Sequence, residues 1–247
     1  MKARDDDNWI YGINPVSEAI RSGRGIRTLY VHSPKHEHIR KIVAEAESKG
    51  IEVRVEGRDF FDRKFPKGHQ CIAALAAKKR VMAIEDLMEV PEHKGEPPFF
   101  LVLDLIEDPR NFGAILRSAD AAGAHGVVYQ SHRSAGITPV VAKASAGALE
   151  YINLAEVVNI KHAMEKMKNA DIALVGAEAG SNLTPWDVDM KAPVALVIGS
   201  EGQGLRRTVK EMCDHIVSLP MRGAVNSLNA SVAAGILCYE VVRQRRE

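Results

Sequence analysis

From residue 98 onward, short apolar runs that predict strands alternate with patterns that predict helices. This alternation is compatible with few classes of fold. Five runs rich in Val, Ile, Leu and Ala predict buried strands, at residues 99–104, 126–129, 172–176, 194–198 and 216–219. Apolar residues at helical spacing predict five helices among them, at residues 112–122, 139–148, 161–169, 205–213 and 227–245. Strands that alternate with helices form a parallel sheet covered on both faces, so this part of the chain is predicted to be an α/β domain.

The first 80 residues alternate in the same way, but in shorter pieces. A helix is expected to start at Asn14-Pro15, with further helices at 36–49 and 58–65 and strands at 28–32, 51–55 and 71–77. Residues 81–97 are acidic, contain two prolines with a third at residue 98, and predict a linker with one short helical turn around residues 84–88. The predicted domains are therefore 1–80, a linker at 81–97, and 98–247.

The formal net charge of +1 hides an uneven distribution of charge along the chain. Residues 9–80 carry 15 Lys and Arg against 8 Asp and Glu, whereas residues 81–97 carry 1 against 5. The N-terminal domain is therefore basic, and a basic domain attracts phosphate groups through an interaction that weakens as salt rises. This distribution favours a nucleic-acid partner that the total charge alone argues against.

Several other classes of protein are excluded or disfavoured by composition. No apolar run reaches the roughly 18 residues of a membrane span, and the acidic N-terminus is unlike a signal peptide. The three cysteines are widely spaced, which fits small buried thiols in a reducing cytoplasm. The scattered histidines and cysteines form no ligand cluster, so no metal and no membrane partner are expected.

Three loops that follow predicted strands could carry chemistry, because ligands of parallel sheets bind at the carboxyl ends of the strands. They span residues 105–113, 198–205 and 219–231. Each polar residue on them also has a purely structural interpretation. Asn111, Asn226 or Ser227 could cap a helix, Arg117 could be a solvated charge on a helix face, and Glu201 could be an ordinary exposed acid.

The glycines of the second loop, Gly199, Gly202 and Gly204, have two interpretations as well. They could let the backbone approach a cofactor, or they could form a turn that requires positive φ. Their spacing differs from the dinucleotide fingerprint, and they follow the fourth predicted strand of the domain instead of the first. A nicotinamide-dependent oxidoreductase is therefore a weak alternative.

Taken together, these loops resemble the three motifs of the SpoU/TrmH group of SPOUT RNA 2′-O-ribose methyltransferases. The matching runs are residues 108–119 (DPRNFGAILRSA), 196–204 (LVIGSEGQG), and 216–221 (IVSLPM) with 226–233 (NSLNASVA). They occur in the order of the family, and the resemblance covers residues 98–247. In the N-terminal domain, residues 11–20 and 69–72 resemble the substrate-binding domain of the RlmB branch, which methylates a guanosine of 23S ribosomal RNA. Cys71 departs from the glycine usual in that branch, which bears on packing of the small domain.

The resemblance implies a cofactor, a reaction and a set of site residues. The cofactor is S-adenosylmethionine, whose methyl group moves to a ribose 2′-hydroxyl without a metal. Backbone and side chains at three strand-end positions hold the adenosyl group: Gly199, Leu219 and Leu228. Arg117 lies closest to the nucleophile, either as a general base or as a cation that stabilises the alkoxide; a guanidinium with a pKa above about 12 favours the second role. Four polar residues orient Arg117 and the ribose: Asn111, Glu201, Ser227 and Asn229.

Two further expectations come only from the resemblance. The C-terminal domain is expected to contain a deep trefoil knot. The N-terminal domain is expected to be a small α/β RNA-binding domain that resembles a ribosomal protein. The protein is expected to be a homodimer in which cofactor and substrate groups meet across the interface, and the apolar last helix (Val232, Ile236, Leu237, Tyr239 and Val242) fits an interface or a core equally well. The same chemistry on another rRNA or tRNA nucleotide, or an inactive RNA-binding protein, remains an alternative at this stage.

Overall fold

A computed structural model of the protein describes residues 8–33 and 36–246. By their contacts, these residues form two compact units. The first comprises the described residues up to Arg80 together with Ile137–Tyr151, and the second comprises Val81–Gly136 and the described residues from Ile152 onward.

The first unit is a four-stranded sheet with helices. Its elements within the first 80 residues are β1 (Asn8–Tyr11), α1 (Ile13–Arg21), β2 (Ile26–Val31), α2 (Glu37–Ser48), β3 (Glu52–Val55), α3 (Arg58–Lys64) and β4 (Ile72–Ala76). The strand order is β1-β4-β2-β3, in which β4 is antiparallel to both neighbours and β2 is parallel to β3. Strand β1 is absent from the sequence prediction, because four residues are too few to show a period of two.

The second unit contains most of the remaining elements. From residue 81 onward the chain forms α4 (Ile84–Lys94), β5 (Phe99–Asp104), α5 (Pro109–Ala121), β6 (Gly126–Gln130), α6 (Pro139–Ala144), β7 (Leu154–Val157), α7 (Ile160–Asn169), β8 (Ala173–Ala177), β9 (Val194–Gly199), α8 (Arg207–Lys210), β10 (His215–Val217) and α9 (Ala230–Arg246). Of these, α6 belongs to the first unit. The second unit has one six-stranded sheet in the order β10-β8-β9-β5-β6-β7, with every neighbouring pair parallel.

The parallel α/β sheet predicted for the C-terminal part is confirmed. Strands β5 and β9 lie at its centre and are buried at every position, as expected for strands covered on both faces. They pair in register from Phe99 with Val194 to Asp104 with Gly199, so their carboxyl ends lie side by side. This register brings the loops of the first two motifs to the same edge of the sheet.

The segment Ile137–Tyr151 is tied to the first unit by polar contacts within that unit. The guanidinium of Arg24 donates to the Glu150 carboxylate at 2.7 Å, and both side chains are almost completely buried. The Tyr151 hydroxyl donates to Glu18 at 2.7 Å. The sequence alone places this segment in the C-terminal domain; the domain boundaries stay a prediction.

Besides β1, three elements of the second unit differ from the sequence prediction for reasons that their residues show. Residues 84–94 form a helix of 11 residues instead of one turn, because Ile84, Leu87 and Pro91 form a buried face. The short strand β7 was missed, because exposed Glu156 interrupts its apolar run. Helix α9 begins at Ala230, three residues later than predicted, because Asn229 caps it.

Candidate active site

The second and third motif loops enclose a cleft of about 540 Å³ beside the carboxyl ends of β8, β9 and β10. Its walls include the three residues expected to hold a cofactor, Gly199, Leu219 and Leu228, as well as Glu201, Ser227 and Asn229. Apolar side chains of the strands and of α9 form its floor, among them Ile198, Val217 and Leu237. The structure thus gathers six of the eight predicted site residues around one cleft.

The glycine-rich loop after β9 folds back on itself tightly. Ser200 and Gly204 exchange backbone hydrogen bonds at 3.1 and 3.0 Å. A Cβ at Gly199 would lie 2.3 Å from the carbonyl carbon of Gly204, and Gly202 and Gly204 have φ of 84° and 67°. Side chains at these positions would clash or strain the backbone, so the glycines are required for this turn. The same loop lines the cleft, so the turn is confirmed, and the approach of a cofactor to its backbone stays a prediction.

Two carboxylates that the sequence reasoning missed anchor this loop. Glu178, which follows β8, accepts a hydrogen bond from the Leu205 amide at 3.1 Å and one from Lys210 at 2.8 Å. Asp104, the last residue of β5, is completely buried and accepts from the Arg206 backbone amide at 2.9 Å and from its Nε at 2.7 Å. Both lie at the carboxyl ends of strands. The rule that ligands of parallel sheets bind at those ends therefore also predicts a role for these two residues.

Asn111, Glu201 and Asn229 come from three separate motifs and form one hydrogen-bonded cluster. The Asn111 amide donates to Glu201 at 2.8 Å, and the Asn229 amide donates to the Asn111 carbonyl oxygen at 2.9 Å. The Asn229 amide also lies 3.4 Å from both Glu201 carboxylate oxygens. Asn111 is therefore not the cap of α5, a role taken by Asp108.

Asn229 has a second role as the cap of α9. Its side-chain oxygen accepts from the Ser231 amide at 2.9 Å and from the Ser231 hydroxyl at 2.6 Å. The sequence prediction gave this cap to Asn226 or Ser227, which are exposed and lie before the helix. The single side chain thus joins the helix terminus to the cluster, because its amide and its oxygen face different partners.

A second cavity of about 250 Å³ adjoins the cluster. The loop after β5 lines it, including Leu105, Asp108 and Asn111. Ser200, Glu201 and Gln203 line both this cavity and the larger cleft. The cluster therefore stands between two spaces, which suits a site where two molecules meet.

Arg117 lies apart from this cluster. It is exposed on α5, and among the residues that the structure describes it has no hydrogen-bond or ion-pair partner. Ser227 lines the cleft but likewise makes no hydrogen bond to any described residue. The expectation that the polar cluster orients Arg117 within one chain is therefore not met by the contacts of this chain.

The cleft fits the cofactor that the resemblance implies. Its volume lies in the range of about 300–1,000 Å³ that is typical of small-molecule sites. Its apolar floor suits an adenine ring, and its backbone loops offer donors and acceptors for a ribose. The Glu201 carboxylate has no cationic partner among the described residues, so it suits a ligand that carries a positive charge.

The next features are metal-binding groups, membrane-spanning helices and the cysteines. Within residues 8–33 and 36–246, no three His, Cys, Asp or Glu side chains are grouped so that they could hold a metal ion. None of the helices in those ranges is long and apolar enough to span a membrane. Burial raises the pKa values of Cys213 and Cys238 to about 12. Cys238 is buried, but Cys71 and Cys213 are only partly buried, so the expectation of three buried thiols is confirmed for Cys238 alone.

A parallel α/β sheet with a glycine-rich cleft and a polar cluster at its carboxyl edge defines a protein that binds a small cofactor next to a second substrate. Comparison with known proteins identifies the family. Residues 98–239 match the model of the SpoU rRNA methylase family, and residues 9–82 match the RNA 2′-O ribose methyltransferase substrate-binding domain. The chain belongs to the SpoU rRNA methylase family, as its motifs predicted.

Individual relatives agree with this assignment. The chain is 42% identical over 239 residues to the putative TrmH family tRNA/rRNA methyltransferase YacO of Bacillus subtilis, with 96% of each chain covered. It is 37% identical over 249 residues to the 23S rRNA (guanosine-2′-O-)-methyltransferase RlmB of Shewanella oneidensis, with 100% of each covered. It also resembles the crystal structure of the SpoU methyltransferase AviRb from Streptomyces viridochromogenes in complex with AdoMet, with a TM-score of 0.84, 27% identity and coverage of 98% and 91%.

Proposed function

We propose that this protein transfers a methyl group from S-adenosylmethionine to the 2′-hydroxyl of a guanosine ribose in 23S ribosomal RNA. The observation that carries the proposal is the cleft in which the second and third motif loops meet, with the Asn111–Glu201–Asn229 cluster at its side. The relatives named as 23S rRNA guanosine methyltransferases support the choice of substrate. Action on ribosomal RNA places the enzyme in the cytoplasm.

On this proposal, some site residues bind the cofactor and others position the reacting groups. Gly199, Leu219 and Leu228 hold S-adenosylmethionine through the walls of the cleft. When bound, the cofactor supplies a methyl group that its sulfonium already activates for transfer. Glu201 faces the positive charge of the cofactor, and Asn111 and Asn229 hold Glu201 in place. Fixing the two reactants in one geometry removes a large entropic part of the barrier.

Arg117 is proposed to stabilise the developing alkoxide of the ribose, and Ser227 to orient the ribose from the rim of the cleft. A guanidinium keeps its proton at neutral pH, so it acts as a fixed positive charge. Because Arg117 is exposed and lies outside the cluster of its own chain, we infer that it serves the site of a second copy. Its helix α5 packs against α9, where Ser118 lies close to Gly235.

A homodimer is supported by the outward face of α9. Val232, Ile236 and Tyr239 are 49%, 42% and 54% exposed and follow one another at helical spacing, whereas Leu237 is buried in the core of the chain. An apolar stripe of this kind is typical of a surface that another protein covers. Sedimentation at micromolar concentration is expected to give a dimer; a monomer would contradict this part of the proposal. The trefoil knot stays a prediction.

The experiment that tests the reaction is a map of 2′-O-methyl sites on ribosomal and transfer RNA from cells with and without the gene. One guanosine of 23S RNA is expected to lose its methyl group when the gene is removed. Loss of methylation at a tRNA position instead would retain the chemistry and overturn the substrate. An unchanged map would overturn the enzyme assignment.

The assignment of Arg117 has its own test. Arg117→Ala is expected to lower methyl transfer by at least about 100-fold, the usual cost of removing a group that stabilises developing charge. RNA binding, measured by filter retention, should stay close to wild type. Arg207→Ala is the matched control, because Arg207 is 87% exposed and, in the part of the chain that the structure describes, pairs only with Glu211. Near-wild-type turnover of the Arg117 variant would exclude the role.

A further inference from the structure

A cluster of aromatic rings lies on one face of the sheet in the first unit. Trp9 of β1 lies 5.2 Å from Tyr30 of β2 and 5.3 Å from Phe65, and Tyr30 stacks on Phe60 at 5.3 Å. Tyr30 and Phe65 are buried, whereas Trp9 and Phe60 are only partly buried. These two rings therefore present surface to the outside of the cluster.

Lys64 covers that surface. Its ammonium lies 3.7 Å from the centroid of the Trp9 ring and 5.6 Å from that of Phe60, which is cation–π geometry. Partial burial lowers the pKa of Lys64, because burial penalises the charged form. The ring faces therefore already bind a cation, and in this structure it is the side chain of Lys64, on the helix that also carries Phe60.

The surroundings of these rings carry positive charge. Arg63 and Lys64 lie in the last turn of α3, and Lys67 follows three residues after the helix ends. All three are exposed, and among the described residues none of them has a carboxylate partner. Arg58, at the other end of the helix, pairs with Asp62. Cations without carboxylate partners complement phosphate groups.

We propose that Trp9 and Phe60, with Lys64 and Lys67, form a stacking site for an unpaired base of the RNA substrate. The proposal rests on the proposed function, because it names how the substrate is held away from the cleft. Proteins that bind single-stranded RNA combine aromatic rings for the bases with cations for the backbone. A base and the Lys64 ammonium compete for the same ring face, so base stacking displaces Lys64, whose charge is then free for a phosphate.

The two tryptophans of the chain allow a direct test. Trp186→Phe removes the tryptophan of the second unit, which is 54% exposed, and leaves Trp9 as the only one. Titration with an unmodified 23S rRNA fragment, and separately with a single-stranded RNA oligomer, is expected to quench the Trp9 emission. The quench should weaken as salt rises. Unchanged emission at RNA concentrations that saturate binding would overturn the proposal.

Substitutions test the same site by kinetics. Trp9→Leu is expected to raise KM for RNA by about 5- to 100-fold, the range for loss of one stacked base, with kcat and the KM for S-adenosylmethionine unchanged. Trp9→Phe should restore most of the affinity. Lys67→Ala should lower the slope of log affinity against log salt by about 1, whereas Lys41→Ala, on exposed α2, should not.

Two outcomes separate this proposal from the function on which it rests. If the wild-type chain methylates no RNA, the proposed function fails, while the Trp9 titration still decides whether bases stack here. If methylation is normal and both Trp9→Leu and Lys67→Ala leave KM for RNA unchanged, the stacking site is overturned. Thermal unfolding of each variant shows whether the aromatic cluster is intact. The Lys67→Ala variant and the Trp9 titration leave every ring of the cluster unmutated, so both still test the proposal if Trp9→Leu unfolds.

Discussion

Asp104 and Glu201 are two carboxylates at the same edge of one sheet, and their surroundings differ completely. Asp104 ends β5, is fully buried and receives the backbone amide and guanidinium of Arg206, whose distal nitrogen lies 2.6 Å from it. Glu201 lies two residues after β9, is exposed, and among the described residues receives only side-chain amides. The charge of Asp104 is balanced within the fold, whereas that of Glu201 meets no cation in residues 8–33 and 36–246.

The difference shows which acid holds the loop, and it supports the proposal that the other acid serves the site. A buried ion pair contributes little against an apolar alternative, but removal of one partner leaves an uncompensated charge. An exposed carboxylate held by two neutral amides costs little to keep and can turn toward a cation. Position at a strand end is therefore not enough to assign a functional role.

The largest effect is expected from Asp104→Asn. The amide cannot balance the Arg206 guanidinium, but that side chain is 39% exposed, so water screens part of the loss and the free energy of unfolding is expected to fall by about 2 kcal/mol. Chemical denaturation measures the change, and Asp108→Asn, at an exposed helix cap, is the matched control with an expected loss of about 1 kcal/mol or less. A loss from Asp104→Asn no larger than that of the control would show that the buried pair does not hold the fold.

Glu201→Gln is expected to lower activity and leave stability almost unchanged, the opposite of the effect expected from Asp104→Asn. It keeps the size of the side chain and removes the charge, so stability should change by no more than about 0.5 kcal/mol. Methyl transfer, measured as kcat/KM for S-adenosylmethionine, should fall by about 10- to 100-fold, the cost of one charged hydrogen bond. Glu211→Gln, which changes an exposed acid of the same unit, should leave both quantities unchanged. Equal activity of the two variants would remove Glu201 from the site.

Much of this site follows from the sequence, because motif residues at the ends of parallel strands must meet at one edge. That rule brought Asn111, Glu201 and Asn229 together from positions up to 118 residues apart. The Asp104–Arg206 pair was missed because Asp104 closes an apolar run and was assigned to its strand alone. Its partner is 102 residues away, and local periodicity carries no information about such a pair.

Arg117 shows the limit in the other direction. Its motif predicts that it belongs to the site, but its position on α5 gives it an exposed face and no partner among the described residues of one chain. Helical spacing predicts on which face of its own helix a residue lies. It does not predict contacts with a second copy of the chain. The motif names the residue, and the proposed dimer would supply its neighbours.

Glu240 of α9 offers the smallest test, because it is a carboxylate paired like Asp104 but with a half-exposed partner. Arg243 donates to it at 2.9 Å and Gln244 at 2.8 Å, and these bonds lower its pKa below 4.5 although burial opposes the shift. A depressed pKa adds stability above about pH 4.5, which is lost as the pH falls through the folded-state pKa. Because Arg243 is 50% exposed, Glu240→Gln should cost less than about 1 kcal/mol at pH 7, and the difference from wild type should close toward pH 3. A difference that widens in acid would mean that Glu240 is held in its neutral form, and the likeness to Asp104 would fail.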